Sequence, residues 1–340
     1  MWRYDEALPL SSPTVSLGEG RTPLVRLGDR VQAKLDYLMP TLSFKDRGAA
    51  MLVEAAARLR PARVIADSSG NAGTAVSAYA ARAGLPCRIF VPATTSAKKV
   101  EQIRAHRAEV VQVAGSREDT ARAAQQEADR QGTFYASHVY NPYFLHGTKT
   151  YGYEVWEDLG GRLPETIVLP VGNGTLVLGV ALALAELVDH GLVDEIPRLV
   201  AVQAEAVAPL SRARRAGLAD VPTGYATAAD TIAEGIAIAE PARSAQILQV
   251  INDSGGDIVT VSDAEVAAAQ RDLAGRGLYV ESTAGACWAA VRHAEQLVHD
   301  QPGHDQPDRD QLGWQLLATG ELVLPLCGAG LKTGLSREVG

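Results

Sequence analysis

Short apolar runs alternate with alanine-rich helical segments along most of this chain, and this alternation is the feature that most constrains its fold. Strands that alternate with helices form parallel sheets through right-handed crossovers. The predicted strands are Arg63–Ala66, Arg88–Val91, Glu109–Val113, Phe134–Ser137, Thr166–Leu169, Leu199–Gln203, Ile258–Val261 and Leu322–Leu326. We therefore predict an α/β protein, and 340 residues are enough for two domains.

Composition excludes several classes of function. The net charge is −8 and no block of Lys and Arg occurs, which argues against nucleic acid or an anionic membrane as a partner. Cys87, Cys287 and Cys327 are far apart, so neither a disulfide framework nor a metal site is predicted. The N-terminus has no apolar signal segment. These features predict a cytoplasmic protein.

The run from 166 to 185 contains no charged residue and approaches the length of a membrane span. Pro170, Gly172 and Gly174 interrupt it in the middle, and Asn173 would lie in hydrocarbon. We interpret the run as a buried strand, a glycine turn and a buried helix.

Lys45 stands in the segment T-L-S-F-K-D-R-G (41–48), where an irregular stretch meets a predicted helix. A helix N-terminus favours the neutral amine over the ammonium, and the apolar Phe44 acts in the same direction. A neutral amine is what Schiff-base chemistry requires. By itself this signal is weak, because most lysines are solvated surface residues.

Two further segments place small residues between a strand and a helix. D-S-S-G-N-A-G (67–73) and P-V-G-N-G-T-L-V-L-G (170–179) would each aim backbone N–H groups at an anion. The second segment is neither a Walker loop nor a dinucleotide fingerprint. One phosphate cradle, one candidate Schiff-base lysine and an amide-rich loop together suggest pyridoxal 5′-phosphate (PLP).

With these motifs the chain resembles the fold-type II PLP enzymes, the tryptophan synthase β-like superfamily, and within it the threonine synthase and threonine dehydratase branch. The resemblance also includes E-G-R-T-P-L (19–24), N-P-Y-F-L-H-G-T-K-T (141–150), T-I-A-E-G-I (231–236), V-E-S-T-A-G-A (280–286) and L-C-G-A-G-L-K (326–332). It implies two doubly wound α/β domains with the cofactor between them. The expected small domain is 49–150, and 1–48 with 151–340 form the large, PLP-binding domain.

The resemblance also implies residue roles. Lys45 would be the catalytic residue, which forms the Schiff base and then moves the substrate α-proton. The cofactor-binding residues would be Phe44, Lys45, Asn71, Gly172, Asn173, Gly174, Thr175, Leu176 and Cys327. The substrate carboxylate would be bound by Ser69, Gly70, Asn71 and Ala72.

Four positions depart from what the resemblance leads us to expect. Leu42 replaces a glycine, Phe144 replaces an arginine available for a substrate phosphate, His146 replaces an acidic residue, and Cys327 replaces a hydroxyl residue beside the pyridine nitrogen. Loss of the arginine puts a phosphorylated substrate in doubt. His138 and His146 are each candidates for acid–base work, although a structural histidine is the more common case.

The expected activity is PLP-dependent elimination or β/γ-replacement on a small amino acid, in a lyase similar to threonine synthase. A threonine or serine dehydratase, a cysteine-synthase-like β-replacement enzyme and a non-catalytic ligand-binding relative remain as alternatives. A homodimer is usual for the family. We expect neither a nucleic-acid nor a membrane partner.

Overall fold

In a computed structural model the chain divides into two compact units, and residues 1–130, 132–300 and 311–336 are described. The first unit comprises Met1–Arg21 and Leu38–Thr150, and the second comprises Thr22–Tyr37 and Tyr151–Gly340. No helix within the described ranges is both long enough and apolar enough to cross a membrane.

The first unit contains a parallel sheet in the strand order β5-β4-β3-β6. Its strands are β3 (Arg63–Ala66), β4 (Cys87–Pro92), β5 (Glu109–Val113) and β6 (Thr133–Tyr135). Its helices are α1 (Lys45–Leu59), α2 (Asn71–Arg82), α3 (Ala97–Ala105), α4 (Arg117–Ala128) and α5 (Pro142–Thr148). Helices α1 and α2 and strands β3 and β4 supply most of its core.

The second unit contains a six-stranded sheet in the order β1-β2-β10-β7-β8-β9. Its strands are β1 (Leu24–Arg26), β2 (Val31–Lys34), β7 (Thr166–Pro170), β8 (Arg198–Ala204), β9 (Asp257–Val261) and β10 (Leu322–Pro325). Only the β1–β2 pair is antiparallel among these described strands. Its helices are α6 (Thr150–Asp158), α7 (Thr175–Asp189), α8 (Pro209–Arg215), α9 (Ser244–Asp253), α10 (Asp263–Gly275), α11 (Ser282–Asp300) and α12 (Leu312–Ala318).

The uncharged run at 166–185 is a strand, a turn and a helix, as the sequence predicts. Strand β7 ends at Pro170 and helix α7 begins at Thr175. Every residue of β7 and β10 is buried, which means that both faces of the sheet are covered at these strands. The mixed α/β class with two largely parallel sheets is confirmed.

The division into units differs from the predicted one near the N-terminus. The predicted boundary after residue 48 would cut helix α1, which runs without a break from Lys45 to Leu59. Met1, Leu8 and Val15 belong to the same apolar cluster as this helix, so the N-terminal segment groups with the first unit. Only Thr22–Tyr37, which carries β1 and β2, groups with the second.

Strands β1 and β2 are absent from the predicted set because they are short and carry charged residues. Lys34 in β2 is fully buried, and its Nζ lies 3.1 Å from a Glu154 carboxylate oxygen and 2.5 Å from one of Asp158. The same Nζ donates to the carbonyl of Thr22 at 2.5 Å. These partners compensate the charge, which would otherwise be costly to bury.

Glu54 joins the N-terminal segment to helix α1. Its buried carboxylate accepts from the backbone N–H groups of Thr14 at 2.8 Å and Val15 at 2.9 Å, and from Arg58 Nε at 2.9 Å. Burial by itself raises the pKa of Glu54, but the hydrogen bonds from Arg58, Thr14 and Val15 outweigh it and hold the pKa below its ordinary value. The ionised carboxylate therefore stabilises the fold.

We expect Glu54→Gln to lower the free energy of unfolding by about 1–3 kcal/mol, because an amide cannot accept all of these bonds. A depressed folded-state pKa contributes stability above the unfolded-state pKa, and this contribution disappears as the pH falls through the folded-state value. The difference between wild type and variant should therefore shrink in acid. Urea unfolding as a function of pH measures it.

Glu101→Gln is the matched control, since Glu101 is an exposed residue of α3. It should change stability by less than about 0.5 kcal/mol. A Glu54→Gln variant as stable as this control at neutral pH would contradict the assignment.

Candidate functional site

Lys45 is the first residue of helix α1, and a hydrogen-bonded turn fixes its backbone. The buried carboxylate of Asp46 accepts from the backbone N–H of Thr41 at 2.6 Å and from the Thr41 hydroxyl. An acidic side chain in the first helical turn also complements the helix dipole. Asp46 thus closes residues 41–46 into a compact turn that positions Lys45.

Leu42 adopts a left-handed backbone conformation inside this turn, with φ +64°. Its N–H donates to the carbonyl of Met39 at 2.8 Å, so the conformation belongs to the turn itself. The turn therefore keeps the conformation that suits the glycine expected here, although a leucine occupies the position. A non-glycine residue in this region costs roughly 1–2 kcal/mol.

Two phenylalanine rings flank the Lys45 amine. Nζ lies 4.2 Å from the centroid of Phe44 and 5.8 Å from that of Phe144. Phe144 is completely buried, and its ring atoms lie only 2.5 Å from where a Cβ on Gly48 would be. The ring of His138 meets Phe144 edge-on, with centroids 5.9 Å apart. The structure thus brings Phe144 and Lys45 together, although they are far apart in sequence.

Ser43 has a buried hydroxyl in the same turn. Its Oγ has no hydrogen-bond partner among the residues that the structure describes. A buried hydroxyl without a partner is costly, so such groups usually serve a ligand or an ordered water. The sequence analysis assigned no role to Ser43; its position two residues before Lys45 is the only signal that could have indicated one.

The loop 67–70 leads from β3 into helix α2. Gly70 is the N-cap of α2 and has no side chain with which to cap it, so the N–H groups of the first turn are available to water or an anion. A Cβ at Gly73 would lie 1.8 Å from the Ser68 carbonyl oxygen, which explains why glycine is needed where this loop rests on the helix. Residues 69–71 are half-buried and Ala72 is buried.

The second glycine loop leads from β7 into helix α7 in the other unit. Gly174 is the N-cap of α7 with φ +74°, and a Cβ there would lie 2.4 Å from Ile247 Cδ1. A Cβ at Gly172 would lie 2.9 Å from Ile238 Cγ1. The backbone of 172–174 therefore enters the start of α7 without side chains between its N–H groups and an approaching ligand.

Cys327 follows β10, the strand next to β7, so the two segments lie at the same edge of the sheet. The residue is 1% exposed. The backbone N–H of Glu281 donates to the carbonyl of Gly328 at 2.9 Å, and a Cβ at Gly328 would lie 2.3 Å from the Glu281 carboxyl carbon. Glu281 is thus a buried acid beside Cys327 that the sequence analysis left without a role.

The other two cysteines are structural in character. Cys87 and Cys287 are free and buried, and burial raises the pKa of Cys87 to about 12 and also raises that of Cys287. Neither is a reactive thiolate at neutral pH. Across the described residues, no group of three or more His, Cys, Asp or Glu side chains is arranged to hold a metal ion.

The residues present fit PLP. The α7 start offers backbone N–H groups behind two glycines whose Cβ positions are sterically closed, which suits one phosphate. The half-buried Lys45 amine and the orphaned hydroxyl of Ser43 lie in one turn of the first unit. Each group sits at the start of a helix, where the backbone fixes it.

Comparison with known proteins identifies the class. The family described as "Pyridoxal-phosphate dependent enzyme" matches residues 15–302, and the chain belongs to this family. Threonine synthase of Methanosarcina acetivorans is 34% identical over 302 residues, covering 86% of this chain and 74% of its own. These findings confirm the predicted fold-type II family, PLP as the cofactor, and a threonine-synthase-like lyase.

Solved structures agree with this fold. A threonine deaminase from the organism abbreviated T.th. superposes with a TM-score of 0.72 at 26% identity, covering 91% of this chain and 92% of that one. A fungal L-serine ammonia-lyase from Rhizomucor miehei gives a TM-score of 0.74 at 22% identity, covering 91% and 94%. The second likeness establishes the shared fold alone.

The left-handed turn at Leu42 generates a prediction. We expect Leu42→Gly to be more stable than Leu42→Ala by about 1 kcal/mol, because both variants lose the same side chain and only alanine keeps the backbone strain. Thermal or urea unfolding of the two variants measures the difference.

Ala57 in helix α1 provides the control with the opposite sign. There glycine should be the less stable residue by about 0.5–1 kcal/mol, since α1 is an ordinary helix at this point. If alanine matched or exceeded glycine at position 42, the backbone assignment of this turn would be wrong.

Proposed function

We propose that this chain uses PLP to catalyse elimination or β/γ-replacement on a small amino acid, with Lys45 as the catalytic residue. The observation that carries the proposal is the position of the Lys45 amine: it starts helix α1, its turn is held by Asp46, and Phe44 and Phe144 flank it. Bound PLP supplies an aldehyde that condenses with amines and a ring that accepts electrons.

The remaining roles divide between the units. In the first unit, Lys45 moves the α-proton, Asn71 hydrogen-bonds the PLP ring hydroxyl, and Phe44 packs beside the ring. The first turn of α2, with the loop before it, binds the substrate carboxylate. The residues proposed for this carboxylate are Ser69, Gly70, Asn71 and Ala72. The N–H groups at a helix start suit a carboxylate because they carry a partial positive charge.

In the second unit, the start of α7 binds the phosphate and Cys327 lies against the pyridine nitrogen. The residues proposed for the phosphate are Gly172, Asn173, Gly174, Thr175 and Leu176. A thiol is a weaker hydrogen-bonding group than a hydroxyl, so it leaves the ring nitrogen less strongly bonded. We propose that both sets of residues serve one PLP molecule, and that the enzyme works as a cytoplasmic homodimer.

A threonine or serine dehydratase is the second candidate. The curated relatives are threonine synthases, whereas the similar structures include a threonine deaminase. The uncharged ring of Phe144 near the Lys45 amine favours the dehydratase, because a phosphorylated substrate needs cations. A cysteine-synthase-like replacement remains a third candidate. A non-catalytic relative is disfavoured, because Lys45 and both glycine loops are retained.

The test is to locate the covalent bond to PLP. Purified protein loaded with PLP should be yellow, and borohydride reduction followed by peptide mass spectrometry should find the pyridoxyl group on Lys45. Lys45→Ala should lose this adduct and reduce turnover by at least about a thousandfold, since it removes both the linkage and the base. A panel of amino acids and O-activated derivatives, assayed for keto acid, ammonia and new amino acids, separates elimination from replacement.

Lys98→Ala is the matched control, because Lys98 is an exposed lysine of α3. It should keep both the adduct and the turnover. A pyridoxyl group on another lysine, with Lys45→Ala still active, would refute the proposal.

A further inference from the structure

Phe144 lies within reach of the reacting part of the substrate, given the role proposed for Lys45. A base must come within about 3 Å of the proton that it takes, so the substrate Cα lies close to Nζ. The substituent on that carbon extends by one or two bonds of about 1.5 Å each. The ring centroid of Phe144, 5.8 Å from Nζ, is near enough to line the space for this substituent.

The ring cannot easily move out of this space. Gly147, three residues after Phe144, is pressed against α1: a Cβ there would lie 2.0 Å from the Arg47 carbonyl oxygen and 2.7 Å from Gly48 Cα. Gly48 in turn leaves room for the Phe144 ring, and His138 packs against its other side. Phe144 is therefore a fixed apolar wall.

The two buried cations nearest in sequence are held by other bonds. Arg47 Nη1 donates to the Thr150 hydroxyl at 3.1 Å, and Lys149 Nζ donates to the Ala7 carbonyl at 2.5 Å. Both side chains are almost completely buried. Redirecting either one to a ligand would break a buried hydrogen bond, which is costly.

From this geometry we infer that Phe144 determines specificity: the site takes amino acids whose Cβ or Cγ substituent is uncharged, such as a hydroxyl or an acyl ester, and excludes phosphate esters. A phosphate dianion held against an apolar ring loses its water without gaining paired donors. The inference rests on the function proposed above and names the substrate class of the same site.

The test compares L-serine with O-phospho-L-serine, and O-acetyl-L-homoserine with O-phospho-L-homoserine. Dissociation constants are measured by absorbance titration of the PLP-loaded Lys45→Ala variant, which separates binding from turnover, and kcat/KM is measured with wild-type enzyme. We expect the uncharged member of each pair to bind at least about tenfold more tightly.

Two variants of similar side-chain volume isolate the polarity of the wall. Phe144→Leu should keep the preference, because leucine is apolar, whereas Phe144→Gln should reduce it about tenfold by offering the phosphate a donor. Phe90→Leu is the matched control, since Phe90 is a buried phenylalanine of the same unit that belongs to a different apolar cluster. It should leave the preference unchanged.

Equal or tighter binding of the phosphate esters by the wild-type pocket would overturn the inference, as would an unchanged preference in a folded Phe144→Gln variant. If that variant fails to fold, the wild-type pocket alone decides the question. Failure of the proposed function is distinguishable, because it would appear as no pyridoxyl group on Lys45 and no turnover of any substrate in the panel.

Discussion

Direct backbone contact between helices α1 and α5 is the constraint on which the surroundings of Lys45 depend. Gly48 and Gly147 leave no room for a Cβ where the two helices cross, so the ring of Phe144 is held over the first turns of α1. Larger residues at either glycine would separate the helices and move the ring away from the Lys45 amine. The environment of the proposed catalytic amine is thus set by close backbone packing within the first unit.

The same economy operates at the two loops that precede helices α2 and α7. Each loop leaves the carboxyl end of a parallel strand and enters a helix whose N-cap is glycine. Open α/β sheets generally bind ligands at this edge. Glycine gives up side-chain capping and costs chain entropy, and in return the N–H groups of the first turn remain accessible to an anion.

Sequence predicted the regular parts of this architecture well. The eight predicted strands correspond to β3–β10 because each is a compact apolar run, and both glycine loops lie where small residues separate a strand from a helix. Strands β1 and β2 were missed because a buried, ion-paired lysine such as Lys34 has the same sequence appearance as a surface residue.

What could not be predicted is contact between distant segments. Nothing in the pattern around Phe144 indicates that its ring lies beside Lys45, because this proximity depends on how α5 packs against α1. The unsatisfied hydroxyl of Ser43 and the buried acid Glu281 are likewise visible only when burial is known. The strain at Leu42 is a property of backbone geometry, which leucine gives no reason to expect.

The most direct test of the central claim, that Lys45 and the α7 glycine loop serve one PLP, is the PLP dissociation constant of Gly174→Ala compared with that of Gly191→Ala. Both glycines have positive φ at opposite ends of α7, but a Cβ at Gly191 meets nothing within 4 Å. The claim predicts that Gly174→Ala weakens PLP binding about tenfold or more while borohydride still labels Lys45, and that Gly191→Ala binds like wild type. Wild-type affinity in a folded Gly174→Ala variant would contradict it.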